Sequence, residues 1–177
     1  MRSDLARRVH QVCHLEGSFK LRSGAIASNY FDKYRFESDP RLLREIALAL
    51  RPLVPANVDA LAGLELGGVP IATALSRETG LPALFVRKKA KEYGTCRLAE
   101  GGDAKGRRLL VIEDVVTSGG QILLSCRELR ALGAEIVGAL CVIDRESGGA
   151  ESLAAEGIAL TALFRASELE AAARSSG

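Results

Sequence analysis

Residues 109–120, LLVIEDVVTSGG, carry an apolar run into two adjacent carboxylates, Glu113 and Asp114, and then into Thr117, Ser118, Gly119 and Gly120. Carboxylates only accept hydrogen bonds, so a pair of them suits the neighbouring hydroxyls of a sugar. Successive strand residues point to opposite faces, which lets the two reach different groups of one ligand or divide between ligand and support. Hydroxyls and bare backbone at a helix start offer free N–H groups and the positive end of a dipole to a phosphate. A sugar phosphate satisfies both halves of the stretch. A Ser/Thr-Gly pair after a strand is commonly only a turn and a helix cap. The carboxylates before it are what a purely structural turn does not need. No GxxxxGK[ST] occurs, and no GxGxxG opens a helix after the first strand, so neither a P-loop nor a dinucleotide-binding unit is indicated.

A second concentration of chemistry lies at residues 87–97, where Arg87, Lys88, Lys89, Lys91 and Arg97 face only Glu92. Such a run is ordinarily a solvated loop. Its position after a strand, with Gly94 inside it and Glu100-Gly101-Gly102 beyond, fits a lid that closes over an anion. His10 and His14 stand four apart on a helical pattern and read as helix residues rather than a metal pair. No protein metal site is expected.

These residues need a scaffold, and 177 residues are enough for one domain with a sizeable core. The expected organisation is a single domain over 1–177, with N-terminal helices and a hood segment at 1–58, a core α/β sheet at 59–165 and a C-terminal helix and tail at 166–177. Apolar runs at 60–66, 82–87, 108–114, 135–145 and 158–164 read as strands, which makes Glu113 and Asp114 the last residues of a central strand. Amphipathic segments at 68–80, 119–133 and 148–157 read as the helices between them. Strands with both faces apolar, separated by helices, predict a parallel sheet covered on both sides. Ligands of such sheets bind at the carboxyl ends of the strands. Upstream, a helix over 3–14 leads to a turn or short hairpin in 17–36. Asp39 then caps a helix with Pro40 at its first position and Leu42, Leu43, Ile46 and Leu50 on its inner face.

With a net charge of only +2, the composition gives no support to nucleic-acid binding. Cys13, Cys96, Cys126 and Cys141 form no CxxC pair, which argues against a zinc knuckle or a disulfide framework. The N-terminus lacks a signal-peptide apolar region, and runs such as 136–143 fall short of the ~18 residues a membrane span needs. A cytoplasmic protein without membrane contact is expected.

VIEDVVTSGGQ at 111–121 resembles the phosphoribosyl pyrophosphate signature of type I phosphoribosyltransferases. FVRKKAKEYGTCRLAEG at 85–101 is similar to the flexible catalytic loop of the orotate phosphoribosyltransferase family, GSFKLRSGAIASNYFD at 17–32 to its orotate-side segment, and VIDRESGG at 142–149 to its Asp-Arg motif. The resemblance implies the type I phosphoribosyltransferase fold, a central parallel sheet flanked by helices with a small N-terminal hood. It implies transfer of a phosphoribosyl group from Mg²⁺-bound phosphoribosyl pyrophosphate to N1 of orotate. Catalytic roles would fall to Arg87, Lys91, Glu113 and Asp114. Phosphoribosyl pyrophosphate would be held by Arg87, Lys88, Lys91, Tyr93, Glu113, Asp114, Val115, Val116, Thr117, Ser118, Gly119, Gly120 and Gln121. Orotate would be held by Arg22, Tyr30, Phe31, Thr117 and Arg145. A homodimer with shared active sites would follow, because part of the loop reaches the neighbouring subunit in this family.

Three positions depart from the family pattern. Tyr93 stands where bacterial members often have His, and a phenol does not titrate near neutrality. Arg22 replaces the usual Lys. Gly67 takes the place of a lysine that touches pyrophosphate in some members, so that contact is lost or made by backbone N–H groups. Two other readings are a phosphoribosyltransferase for a neutral base and a regulatory protein that senses the sugar phosphate. Arg145 speaks against the first, and the absence of a DNA-binding unit against the second.

Overall fold

The computed structural model describes residues 2–20, 24, 26–89 and 98–174. The chain opens with α1 (Arg2–Cys13), a hairpin of β1 (His14–Lys20) and β2 (Ile26–Phe31), and helices α2 (Tyr34–Ser38) and α3 (Pro40–Leu50). The remainder alternates as β3 (Ala60–Leu64), α4 (Gly68–Thr79), β4 (Ala83–Val86), β5 (Ala99–Glu100), β6 (Arg108–Val116), α5 (Gly120–Ala131), β7 (Glu135–Asp144), α6 (Gly149–Ala155), β8 (Leu160–Arg165) and α7 (Ala166–Arg174).

The main sheet has the order β5-β4-β3-β6-β7-β8. All its pairings are parallel except that of β4 with β5, so the expected parallel sheet carries one antiparallel edge. β6 lies centrally, and its apolar run splits with the two-residue period of a strand. Leu110 and Ile112 join a core with Leu5, Val9, Phe36, Ile46 and Ile71, on the side of α1 to α4 and α7. Leu109 and Val111 join the opposite core with Ile122, Cys126, Leu129 and Leu153 from α5 and α6. A strand buried on both faces cannot alternate polar with apolar residues, which is why the sequence reads as a continuous run.

Local chemistry sets the helix ends. Asp39 accepts the N–H groups of Arg41 and Leu42 at 2.9 and 3.0 Å, as a cap should, and Pro40 follows where its missing N–H costs nothing. Gly80 stops α4 in the left-handed region at φ 77°.

Several expectations need correction. β6 runs on to Val116, so Glu113 and Asp114 lie inside the strand rather than at its end. β3 stops at Leu64, releasing Glu65 to Gly67 as a turn. His14 pairs with Phe31 in the hairpin instead of closing α1, because a strand partner is available there. α2 is too short for periodicity to reveal, and so is β5.

Candidate active site

β6 delivers its two carboxylates to different surroundings. Glu113 lines a cavity of about 180 Å³ together with Val115, Val116, Thr117, Ser118, Gly119, Gly120, Gln121 and Ile122. Gly119 turns the chain at φ 76°, and no side chain caps the N-terminus of α5. Any Cβ at Gly119 would also press to 3.1 Å from the Gly149 carbonyl oxygen. The hydroxyl-bearing Thr117 and Ser118 are exposed at this turn. The cavity thus joins a carboxylate to a helix start with uncapped N–H groups, the arrangement anticipated for a sugar phosphate.

Asp114 points the other way and is fully buried. Its Oδ1 accepts the Val115 N–H at 2.5 Å, and Lys33 Nζ approaches its Oδ2 to 2.6 Å as an ion pair without an aligned hydrogen bond. The carboxylate lies directly over Gly67. A Cβ on that residue would come within 3.0 Å of the Asp114 Cβ and collide with its carboxyl group. A side chain at 67 would therefore displace the Asp114 carboxyl group from its present seat.

Glu37, one helical turn after Lys33, is also buried and adds a third carboxyl group. Burial first, and the Asp114 charge second, push the Glu113 carboxyl well above its ordinary range. Glu37 also rises, through burial first, then its side-chain contact with Asp114, then the Asp114 charge. Burial acts to raise Asp114 too, but its contacts with Glu113, Glu37 and Lys33 outweigh this and hold it low. Burial disfavours the Lys33 ammonium, and Asp114 more than compensates, so its affinity for a proton rises. Asp114 and Lys33 therefore form the charged pair, with Glu37 and Glu113 retaining protons.

The expected base-side residues gather elsewhere. Tyr30, Phe31 and Arg145 line a cavity of about 430 Å³, and the Arg145 guanidinium carbon stands 5.8 Å from the centre of the Phe31 ring. Thr117, expected to face both ligands, lines the smaller cavity and not this one. His10 and His14 border the larger cavity with their rings stacked at 5.0 Å. Burial, and then His14, lower the His10 pKa. Among the described residues no group of three or more His, Cys, Asp or Glu is arranged to hold a metal.

On the β4 side, Arg87 borders a third cavity with Glu65, Val69, Phe85, Val86 and Glu100, its Nε 3.5 Å from Glu100 Oε1. The Lys88 backbone N–H donates to Glu65 Oε2 at 3.1 Å, and its side chain is exposed. Arg22, Lys91 and Tyr93 lie outside the described residues. Lys33 and Glu37 were not anticipated; Lys33 fell within the stretch read as a turn or short hairpin, and Glu37 just beyond it. Their helical spacing is the one signal that could have paired them.

A central parallel strand bearing two carboxylates, followed by an uncapped glycine-led helix start, defines the phosphoribosyltransferase class. The phosphoribosyl transferase domain family matches residues 36–159. An orotate phosphoribosyltransferase of Nocardioides sp. is 54% identical over 168 residues, covering 95% of this chain and 94% of the relative. The crystal structure of Mycobacterium tuberculosis orotate phosphoribosyltransferase with inorganic phosphate superimposes with a TM-score of 0.85 at 32% identity, covering 96% of this chain and 98% of the other. The same enzyme in complex with phosphoribosyl pyrophosphate gives 0.83 at 31% identity, with the same coverage. The chain belongs to the orotate phosphoribosyltransferase family of enzymes.

Proposed function

We propose that this chain transfers the phosphoribosyl group of 5-phospho-α-D-ribose 1-diphosphate to N1 of orotate, giving orotidine 5′-phosphate and diphosphate in the synthesis of UMP. The observation that carries this reading is the shared cavity of Glu113 and the Thr117–Gln121 turn. The mycobacterial relative solved with phosphoribosyl pyrophosphate supports it.

In this reading the 5′-phosphate rests on the N–H groups and hydroxyls of Thr117 to Gln121, with Val115 and Val116 forming the cavity wall. Glu113 and Asp114 accept the ribose 2′- and 3′-hydroxyls. They also stabilise the positive charge that develops at the anomeric carbon as its bond to diphosphate lengthens. Arg145 pairs with the orotate carboxylate beside Tyr30 and Phe31, with Arg22 as a further orotate contact. Arg87, Lys88, Lys91 and Tyr93 serve the departing diphosphate. Mg²⁺ enters with the diphosphate and offsets its charge, held mainly by substrate oxygens and water, as suits an ion that dehydrates reluctantly.

We also read 1–177 as one phosphoribosyltransferase domain acting as a cytoplasmic homodimer with shared sites. Among the described residues no helix is long and apolar enough to cross a membrane.

The test is loss of orotate ultraviolet absorbance with purified protein, Mg²⁺ and phosphoribosyl pyrophosphate, beside parallel reactions with uracil, adenine, hypoxanthine and xanthine. Orotate alone should be consumed, and R145A should raise its KM. Consumption of a neutral base instead would overturn the Arg145 assignment.

A further inference from the structure

The base of the hood meets the sheet at one place where charge is buried. Lys33 and Glu37 lie one turn apart and converge on Asp114 from α2 and the residue that precedes it. Between them in sequence, Phe36 is fully buried in the core that also holds Leu110 and Ile112 of β6. The segment is thus fixed to the strand that carries the carboxylates. Glu37, Glu113 and Asp114 put three acidic groups in one buried region, and Lys33 is the cation that the described residues bring to it. Asp114 fills the space above Gly67, so a side chain at that position would meet its carboxyl group.

We propose that Lys33 is a positioning residue for the sugar diphosphate, holding the Asp114 carboxylate ionised and seated over Gly67 so that it accepts the ribose hydroxyls. This rests on reading the site as one for phosphoribosyl pyrophosphate. Lys33 acts through Asp114. Its side chain remains one-third exposed, whereas Asp114 has no exposure, so the ion pair is buried from one side only. Without the ammonium, Asp114 would face Glu37 and Glu113 with no counter-charge, and burial would favour its protonated form. A protonated Asp114 would have one fewer acceptor site for two hydroxyls. The groups that face it are Lys33 and Glu37 from the hood and Glu113 on its own strand. On β7, Cys141 and Asp144 lie close by; the Cys141 thiol is raised by burial first and then by Asp144, Glu113 and Asp114.

The experiment compares wild type with K33M, K33Q and K33R. Calorimetry of Mg²⁺-phosphoribosyl pyrophosphate binding, with no base present, comes first. K33M and K33Q should bind about 10- to 100-fold more weakly, the loss of one charge-assisted contact. K33R should recover a large part of the binding. In turnover, KM for the diphosphate should rise more than kcat falls. The acid limb of kcat/KM should move to higher pH in K33M, because Asp114 then protonates more readily. A purely structural tie would lower the melting temperature without moving that limb. Binding within about twofold of wild type, or an acid limb that stays in place, would overturn the proposal, with K33Q deciding if K33M does not fold. Wild type that binds the diphosphate but consumes another base would cost only the orotate assignment. Wild type that does not bind it at all would overturn both readings.

Discussion

Replacing Gly67 by Ala adds one methyl group at a position where the backbone accepts it, since φ is −68°. On backbone grounds the change should stabilise by about 0.4–1 kcal/mol, through the unfolded chain. The methyl group would nevertheless occupy the space of the Asp114 carboxylate, so that side chain must swing away. Leaving its seat breaks the 2.5 Å hydrogen bond from Val115 and the 2.6 Å pair with Lys33. At about 1.5–3 kcal/mol for each charged contact, the losses exceed the backbone gain, and the net destabilisation is about 2–5 kcal/mol. For a chain of this size that corresponds to a melting temperature lower by roughly 5–15 °C. Binding of Mg²⁺-phosphoribosyl pyrophosphate should weaken on the order of 100-fold, because the displaced carboxylate no longer meets the ribose. Differential scanning calorimetry and titration calorimetry measure both. A variant that melts within about 2 °C of wild type and binds within about threefold would show that Asp114 relocates freely, and the account of Gly67 would be wrong.

Glu37 is pushed up to about 9 from an ordinary value of 4.5, so the stability it contributes is full below about 4.5 and is lost as pH rises toward about 9. E37Q stays neutral throughout and should therefore gain on wild type between those limits, as urea midpoints at pH 6 and 8.5 would reveal. Glu113 also holds its proton near neutrality, and ribose hydroxyls donating to its carboxyl group in the complex would favour the charged form. Binding should release about one proton near pH 7.5, detected as a dependence of the calorimetric enthalpy on the buffer's ionisation heat. D39A removes both cap contacts of α3 and should cost about 1 kcal/mol, a fall of about 2–4 °C in melting temperature without change in KM.

The sheet was legible because burial on both faces leaves long apolar runs, as in Leu109 to Ile112, and because Gly80 and Asp39 mark helix ends by local chemistry alone. The cavity at 113–122 was legible for a related reason: its residues are contiguous, so sequence order nearly equals spatial order. Lys33, Glu37 and Gly67 were not. Each owes its role to a contact between segments far apart in the chain, and α2 is too short to show a period. Gly67 in particular read as a diphosphate contact either lost or made by backbone N–H groups, whereas the structure makes it the floor beneath a buried carboxylate.

The place of Phe36 has a consequence for cooperativity. Fully buried between Lys33 and Glu37 in sequence, it belongs to the same core as Val9, Ile46, Leu110 and Phe164, drawn from both ends and the middle of the chain. The hood segment that touches Asp114 therefore cannot detach without opening that core. Amide protons of α2 should exchange only when the whole core opens, unlike those of a hinged flap. Any ligand that grips Asp114 then adds its binding energy to global unfolding, so the melting midpoint should climb with the logarithm of its concentration as one transition.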